Sequence, residues 1–240
     1  MIEKAQTVEL IDNIPLTLDI AKIMVRLELH GGNKMDEASV RELVDAAGRI
    51  ARPRALYRES FITGKTGNSI EIDGTEFVSH LLRINLDRAD RIFPYIATCG
   101  KELDSLQIPG ADDSRLYCLK LIKEMALTAA VSRLQDYLRC KYALDFIFVL
   151  DPGEMQAWPS DHRKLLFSLL GNVEKSIGVS LTEDNSLVPA CSRTGIFYHA
   201  DIEFESCQLC SKEPCMTRRA PYNPELAKKH LRQTTRICGV

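Results

Sequence analysis

The chain has 240 residues, of which 45% are apolar and 27% charged, an ordinary globular balance in a chain long enough to bury a sizeable core. A net charge of -2 excludes a global field that would draw nucleic acid or an anionic membrane surface. Because no apolar run approaches the roughly 20 residues that cross a bilayer and no signal peptide is evident, we expect a soluble, cytoplasmic protein without a membrane partner.

The first two elements that the sequence predicts along the chain are helices. Apolar residues at helical spacing predict a helix over 16–29 that Gly31-Gly32 ends, and another over about 36–51 that Pro53 ends. The period then changes, and short β-prone pieces follow at 56–62, 70–72 and 76–78. Asp73-Gly74 between the last two pieces predicts a hairpin turn.

The middle of the chain combines a predicted buried strand with the longest helical pattern. A helix near 79–89 precedes the strand Arg91–Thr98, and Cys99-Gly100 then opens a short helix. The long helix is predicted from about Asp113 to Lys141. Its predicted core side consists of Leu116, Leu119, Ile122, Ala126, Ala129, Leu134 and Leu138.

The last predicted elements surround a turn. An apolar strand over 146–150 ends in Asp151-Pro152-Gly153. Helices are predicted near 161–170 and 172–177, and short strands around 179–189 and 194–204. Because hairpins alternate with helices and regular βαβ units are absent, the sequence predicts an α/β (α+β) fold in which helices pack on a mixed, largely antiparallel sheet.

Common catalytic motifs are not found. Gly64-Lys65-Thr66 has Glu59 where a phosphate-binding loop needs its first glycine, and it leads into a predicted strand instead of a helix. The chain has neither a Gly-x-Ser-x-Gly elbow nor a His-Glu-x-x-His pair. The five histidines are dispersed, and we interpret them as surface or capping residues, including His162 at a predicted helix start.

Six of the eight cysteines fall into two groups. In a chain without a signal peptide they are not expected to form a disulfide framework. Three of them, Cys99, Cys118 and Cys140, have apolar neighbours and are predicted to fill core positions. Another three, Cys207, Cys210 and Cys215, lie within nine residues in the pattern C-x2-C-x4-C.

The C-x2-C-x4-C segment predicts a metal site. Three thiolates this close in a proline-containing loop can converge on one ion or cluster, so Cys207, Cys210 and Cys215 are predicted metal ligands. An iron-sulfur cluster is our first interpretation; zinc and unmetallated thiols are the alternatives. Cys191, Cys238 or an exogenous group would be the fourth ligand. We therefore divide the chain into an α/β domain over 1–204 and a metal-binding segment over 205–240.

The end of the chain is basic. From Lys212 onward, seven lysines and arginines stand against two glutamates, a local charge of +5. This charge is typical of a solvated helix face, and docking to an acidic partner or a phosphate-bearing cofactor is the alternative.

A resemblance to a known family rests on the region 146–195. Its motifs are Asp151-Pro152-Gly153, Trp158-Pro159-Ser160-Asp161-His162, Leu166-Phe167-Ser168-Leu169-Leu170, the run from Ile177 to Glu183, and the run from Val188 to Gly195. In order and spacing these resemble the activation domain of cobalamin-dependent methionine synthase. Weaker likeness extends upstream through Ala97-Thr98-Cys99-Gly100 to about two thirds of the chain.

The resemblance implies a C-shaped α/β unit that binds S-adenosylmethionine and caps a corrinoid domain during reductive remethylation. It places the cofactor at Pro152, Gly153 and Glu154, where a glycine permits close approach of the backbone. The chain departs from the family because Val149 replaces its arginine and Glu154 its tyrosine, and a helix glutamate falls near Ser132. Loss of the guanidinium removes an interaction of about 1.5–3 kcal/mol with the ligand carboxylate.

Three functions follow as hypotheses. The first is an accessory protein that docks on a corrinoid protein and assists return of its cobalamin from Co(II) to Co(I), with an iron-sulfur cluster as electron relay. The second is an S-adenosylmethionine-binding partner in methyl transfer. The third is a zinc-stabilised interaction module without catalysis.

Overall fold

A computed structural model gives the architecture. It describes residues 7–31, 35–108, 110–153, 158–199, 208 and 220–225. The predicted metal ligands Cys207, Cys210 and Cys215 lie outside these residues, as do Glu154 and Cys238.

Two helices follow the first strand, β1 (Val8–Ile11). Helix α1 (Ile20–His30) begins later than the predicted Leu16, because the Asp19 side chain accepts a hydrogen bond from Lys22 N and caps the helix there. It ends at Gly31, which has a φ of 74°. Helix α2 (Glu37–Ile50) is capped in the same way by Asp36 and agrees with the prediction.

The next four strands follow the predicted β-prone pieces. They are β2 (Arg54–Arg58), β3 (Ser60–Thr66), β4 (Ser69–Ile72) and β5 (Thr75–Val78). The piece predicted at 56–62 is therefore divided between two strands. Asp73 and Gly74 both have positive φ, 47° and 79°, as the predicted hairpin turn requires.

The middle of the chain confirms the predicted buried strand and the predicted long helix. Short helix α3 (His80–Asn85) leads to strand β6 (Arg91–Thr98), whose bounds are those predicted. A turn of 3-10 helix follows Gly100 over Lys101–Ser105. Helix α4 (Asp113–Tyr142) then runs for 30 residues.

The remaining elements are short. They are β7 (Phe148–Leu150), a turn of 3-10 helix over Ser160–His162, α5 (Arg163–Leu170), α6 (Val173–Ile177), β8 (Ser180–Leu181), β9 (Leu187–Val188) and β10 (Ser192–Tyr198). Strands β8 and β9 pair only with each other among the described residues.

Strand β6 is the centre of an eight-stranded sheet. Both β2 and β3 pair with it, through Arg54–Tyr57 and Ser60-Phe61 respectively, and the two pairings share one continuous register along β6. Strand β10 pairs with β6 over Ser192–Tyr198 and also pairs with β7. Every pairing in the described part of the chain is antiparallel, which confirms the largely antiparallel sheet.

Helices cover both faces of this sheet. Helix α4 packs Ala130, Leu134 and Leu138 against one face, and its first half packs with α1 and α2 in a separate helical core. Helices α3, α5 and α6 cover the other face, where Leu166 and Ile177 are fully buried. The predicted α/β class is therefore confirmed.

Two predicted core residues of α4 are wrong. Leu116 is 52% exposed and Cys140 is also exposed. At about 100° per residue, Leu116 lies about 200° from buried Cys118, and Cys140 lies about 200° from buried Leu138. Both side chains therefore face away from the packed side of the helix. The other two predicted core cysteines, Cys99 and Cys118, are buried.

Within the described ranges, no helix is both long and apolar enough to cross a membrane.

Candidate functional site

The predicted ligand turn lies where β7 ends. Strand β7 stops at Leu150, and Pro152 and Gly153 follow buried Asp151. The strand register places three strand termini at the same end of the sheet: the carboxyl ends of β6 and β7 and the amino end of β10. We call this region the turn end of the sheet.

Two interactions hold the Pro152-Gly153 turn. Gly153 N donates to Trp158 O at 2.9 Å, and Arg163 Nη2 donates to Pro152 O at 3.2 Å. Gly153 has a φ of 84°, a left-handed conformation that other residues rarely adopt. Hydrogen bonds from the Gly153 backbone and from the Arg163 guanidinium thus hold the turn. The positive φ explains why a glycine occupies position 153.

A charged cluster not found from the sequence lies directly beside this turn. The Asp151 carboxylate, with 4% of its side chain exposed, accepts from Tyr95 Oη at 2.8 Å and from the Arg193 guanidinium. We call Asp151, Arg193 and Tyr95 the Asp151 cluster. Because hydrogen bonds to a charged group are stronger than neutral ones, the cluster ties β6, β7 and β10 together.

Gly195 makes room for the Asp151 cluster. It follows Arg193 on β10, opposite Tyr95 on β6. A Cβ at this position would lie 2.1 Å from Asp151 Oδ1 and 2.3 Å from Leu150 O. No side chain fits there without displacing the buried carboxylate or the β7 backbone.

The same register forms a row across the sheet. Direct pairs join Glu9 to Tyr57, Tyr57 to Tyr95 and Tyr95 to Gly195, and the β7–β10 register brings Asp151 next to Gly195. Directly opposed residues project to the same face of a sheet. The Asp151 cluster is therefore one end of a row of five residues.

A second charged cluster forms the other end of the row. Lys141 Nζ on α4 donates to Glu9 Oε2 at 2.6 Å and to Tyr57 Oη at 2.9 Å, and Tyr137 Oη donates to Glu9 Oε2. We call these four residues the Glu9 cluster. Burial raises the pKa of Glu9, but hydrogen bonds from Lys141 and Tyr57 outweigh it and leave this pKa below its usual value.

His162 has a structural partner beside the turn. Fully buried Trp158 donates from Nε1 to His162 Nδ1 at 3.1 Å, so this nitrogen carries no proton. Phe77 lies against the ring with centroids 5.7 Å apart. Burial lowers the pKa of His162, and the charge of Asp161 opposes this only in part. The imidazole is thus neutral and half-buried, and it does not cap α5 through its side chain.

Two cysteines also meet at the turn end. Cys99 follows β6 and Cys191 precedes β10, and Cys99 N donates to Cys191 O at 3.2 Å. The Cys191 thiol, by hydrogen bonding to the Cys99 sulfur, lowers the pKa of Cys99, whereas the pKa of Cys191 is raised. The side chains of Cys99 and Cys191 are therefore hydrogen-bonded to each other.

The predicted metal site is not tested by these residues. Among the described residues, no group of three or more His, Cys, Asp or Glu side chains has the arrangement to hold a metal ion. Cys191 would reach the cysteine segment if the chain between Thr194 and Phe204 turned back. However, β10 is extended from Ser192 to Tyr198, and at about 3.3 Å per residue this places Cys191 up to roughly 23 Å from Tyr198.

Comparison with known proteins supports the fold. No protein-family model matches the chain, and no curated protein matches it either. A solved structure titled "Crystal Structure of the MetH Reactivation Domain bound to AdoHcy" superposes with a TM-score of 0.57 at 16% sequence identity. The match covers 84% of this chain and 81% of that one. The chain therefore has the fold expected from the resemblance, a curved antiparallel sheet with packed helices.

Proposed function

We propose that this chain is an accessory protein that assists reductive reactivation of a corrinoid-dependent methyltransferase. It docks on the corrinoid protein while the partner's cobalamin returns from Co(II) to Co(I). The observation that supports this most is the fold shared with a reactivation domain over 84% of this chain and 81% of the other. A second support is the Pro152-Gly153 turn at the end of β7, held by Arg163 and Trp158.

Docking is tested with a corrinoid protein purified from the organism that encodes this chain. The full chain is mixed with that protein in its Co(II) and its methyl-Co(III) states, and complex formation is followed by gel filtration and calorimetry. We expect binding to the Co(II) state at least about tenfold tighter, a difference of about 1.4 kcal/mol, because a reactivation partner must prefer the inactive form. Equal affinity for the two states would exclude a role in reactivation.

We further propose that Cys207, Cys210 and Cys215 hold an iron-sulfur cluster, with zinc as the alternative. Their three thiolates suit both, since both metal centres accept sulfur donors. A bound cluster would supply one-electron transfer to the reactivation, whereas zinc would stabilise the segment only. The basic charge from Lys212 onward, +5, favours an acidic partner surface near these residues.

Anaerobic purification distinguishes the two metals. We expect a coloured protein with stoichiometric iron and acid-labile sulfide, both lost when Cys210 is replaced by serine. The matched control is Cys140→Ser, because Cys140 is exposed on α4 and is not a predicted ligand. A colourless protein containing stoichiometric zinc would remove the electron relay from the proposal and favour the interaction module.

A second candidate function is binding of an S-adenosylmethionine-type ligand at the turn. The matched structure is of a domain bound to AdoHcy, and two guanidiniums lie beside the turn here although Val149 replaces the family's arginine. Arg163 binds Pro152 O, and Arg193, 31% exposed, binds Asp151. These arginines are the candidates to meet a ligand carboxylate, since a guanidinium binds carboxylates in two-pronged fashion.

Gly153→Ala tests this second function. The new methyl group would lie 3.4 Å from Arg163 Nη2 and would occupy the approach to the turn. We expect calorimetry to show affinity for S-adenosylmethionine at least about tenfold weaker than in the unmodified chain, at a stability cost of about 1 kcal/mol.

The control for this variant is Gly31→Ala. Gly31 has a similar φ of 74° and open space around it, so the stability cost should be similar while affinity is unchanged. Absence of both heat and thermal shift when the unmodified chain meets millimolar S-adenosylmethionine would reject ligand binding itself.

A further inference from the structure

We propose that Cys99 and Cys191 form a redox-active pair, a reversible disulfide site oxidised by small-molecule disulfides. This site does not include Cys207, Cys210 or Cys215, it uses the candidate fourth ligand Cys191 as a free thiol, and it does not depend on the function proposed above. It lies at the turn end of the sheet, where Cys99 directly follows β6 and Cys191 directly precedes β10.

The strand register places the two cysteines opposite each other. Ser192 pairs with Thr98, so the next pair outward is Cys191 with Cys99, and Cys99 N donates to Cys191 O at 3.2 Å. Such pairs have Cα atoms about 5.5 Å apart and project both side chains to the same face. Disulfides span Cα separations of about 4.4–6.8 Å, so a bond forms here without separating the strands.

The surroundings give the two sulfurs different roles. Cys99 is fully buried in the helical core, whereas Cys191 at its margin is partly exposed. An oxidant from solution therefore meets Cys191 first. Cys99, held against it by the adjoining strands, is the sulfur that completes the bond.

The reaction balances with a disulfide as the oxidant. Cys191, the sulfur that solvent reaches, loses its proton and attacks the oxidant's S–S bond, which forms a mixed disulfide and releases one thiolate. Because the pKa of Cys191 is raised, we expect this step to be the slower of the two. The Cys99 thiolate then attacks the Cys191 sulfur, expels the second thiolate and forms the Cys99–Cys191 bond. Two electrons pass from the protein to the oxidant, and the two protons lost by the cysteines are taken up by the two released thiolates.

Oxidation would be transmitted to the ligand turn over a short distance. Cys191 is two residues before Arg193, which binds Asp151 next to Pro152. Thr98 and Ser192, between the two sites, are joined by a hydroxyl hydrogen bond of 2.9 Å. A sulfur–sulfur bond of about 2.05 Å fixes the start of β10 against β6, so the disulfide restrains the strand that carries Arg193.

Peptide mapping of the full chain tests the proposal. The native protein is incubated with glutathione disulfide, remaining thiols are alkylated in denaturant, and trypsin releases residues 92–101 with Cys99 and residues 176–193 with Cys191. We expect these two peptides as a cross-linked species after oxidation. Dithiothreitol should return both to the alkylated form.

The controls separate a specific pair from general thiol oxidation. Cys191→Ser should leave Cys99 alkylated after oxidation, and Cys140→Ser, at an exposed position on α4, should leave the cross-link unchanged. The mapping of the unmodified chain does not depend on how either variant folds. The proposal is overturned if both thiols of that chain stay free, or if Cys191 keeps glutathione while Cys99 remains alkylated.

Discussion

The Asp151 cluster and the Glu9 cluster lie at opposite ends of one row that crosses five strands. Each contains a carboxylate, a cation and a tyrosine hydroxyl in contact. They differ in burial, because the Asp151 side chain is 4% exposed whereas those of Glu9 and Lys141 are 33% and 35% exposed. Burial strengthens each interaction of a charge and makes loss of its partner costly. We therefore expect removal of a charge to lower the free energy of unfolding far more in the Asp151 cluster than in the Glu9 cluster.

Gly195→Ala should give the largest effect. The added Cβ would lie 2.1 Å from Asp151 Oδ1, so either the carboxylate or the β7 backbone must move. We expect a loss of about 3 kcal/mol or more in the free energy of unfolding, measured by urea denaturation. The control is Gly64→Ala in β3, whose Cβ would meet only the Glu71 side chain, at 3.3 Å or more. Equal losses in the two variants would contradict close packing at the turn end.

A pair of charge-removing variants measures the difference between the clusters. Asp151→Asn replaces the buried carboxylate that accepts from Tyr95 and Arg193 by a neutral amide, and because Arg193 itself is 31% exposed we expect a loss of about 1.5–3 kcal/mol. Glu9→Gln removes a partner of Lys141 that is about one third exposed and should cost under about 1 kcal/mol. Denaturant titration of both at neutral pH compares them. The comparison fails if Glu9→Gln costs as much as Asp151→Asn.

The smallest expected effect is a pH dependence near the turn. Because burial lowers the pKa of His162 below its usual 6.5, the folded state holds fewer protons there than the unfolded state. His162 therefore contributes stability that is present above about pH 6.5 and is lost as the pH falls through the folded-state pKa. Melting temperatures between pH 7 and pH 5 should fall less steeply in His162→Gln than in the unmodified chain, and Glu9→Gln should leave this slope unchanged.

Elements set by local pattern could be predicted from the sequence. Strand β6 and helices α2 and α4 agree with prediction because continuous apolar runs, helical periodicity and aspartate caps act over a few neighbouring residues. The prediction for α1 placed its start too early because Leu16 and Leu18 keep the apolar pattern although they precede the cap at Asp19. Exposure of Leu116 shows that an apolar residue does not by itself locate the buried face of a long helix.

Only part of the candidate site could be predicted, because its residues are far apart in the sequence. The Pro-Gly turn could be identified by its residues, but Asp151 was interpreted only as a turn residue. Its pairing with Arg193, 42 positions later, depends on which strand lies beside β7. The Cys99–Cys191 contact depends on the same kind of register. Strand neighbours are decided by the packing of the whole sheet, which no local pattern of one sequence contains.

The reactivation role is tested most directly by electron paramagnetic resonance of cobalt. A corrinoid protein from the same organism, trapped as Co(II), is incubated anaerobically with titanium(III) citrate and S-adenosylmethionine, with and without the full chain. We predict that the Co(II) signal disappears at least about tenfold faster when the chain is present, which corresponds to a barrier lower by about 1.4 kcal/mol. The same rate with and without the chain, under conditions in which the two proteins form a complex, would contradict the account.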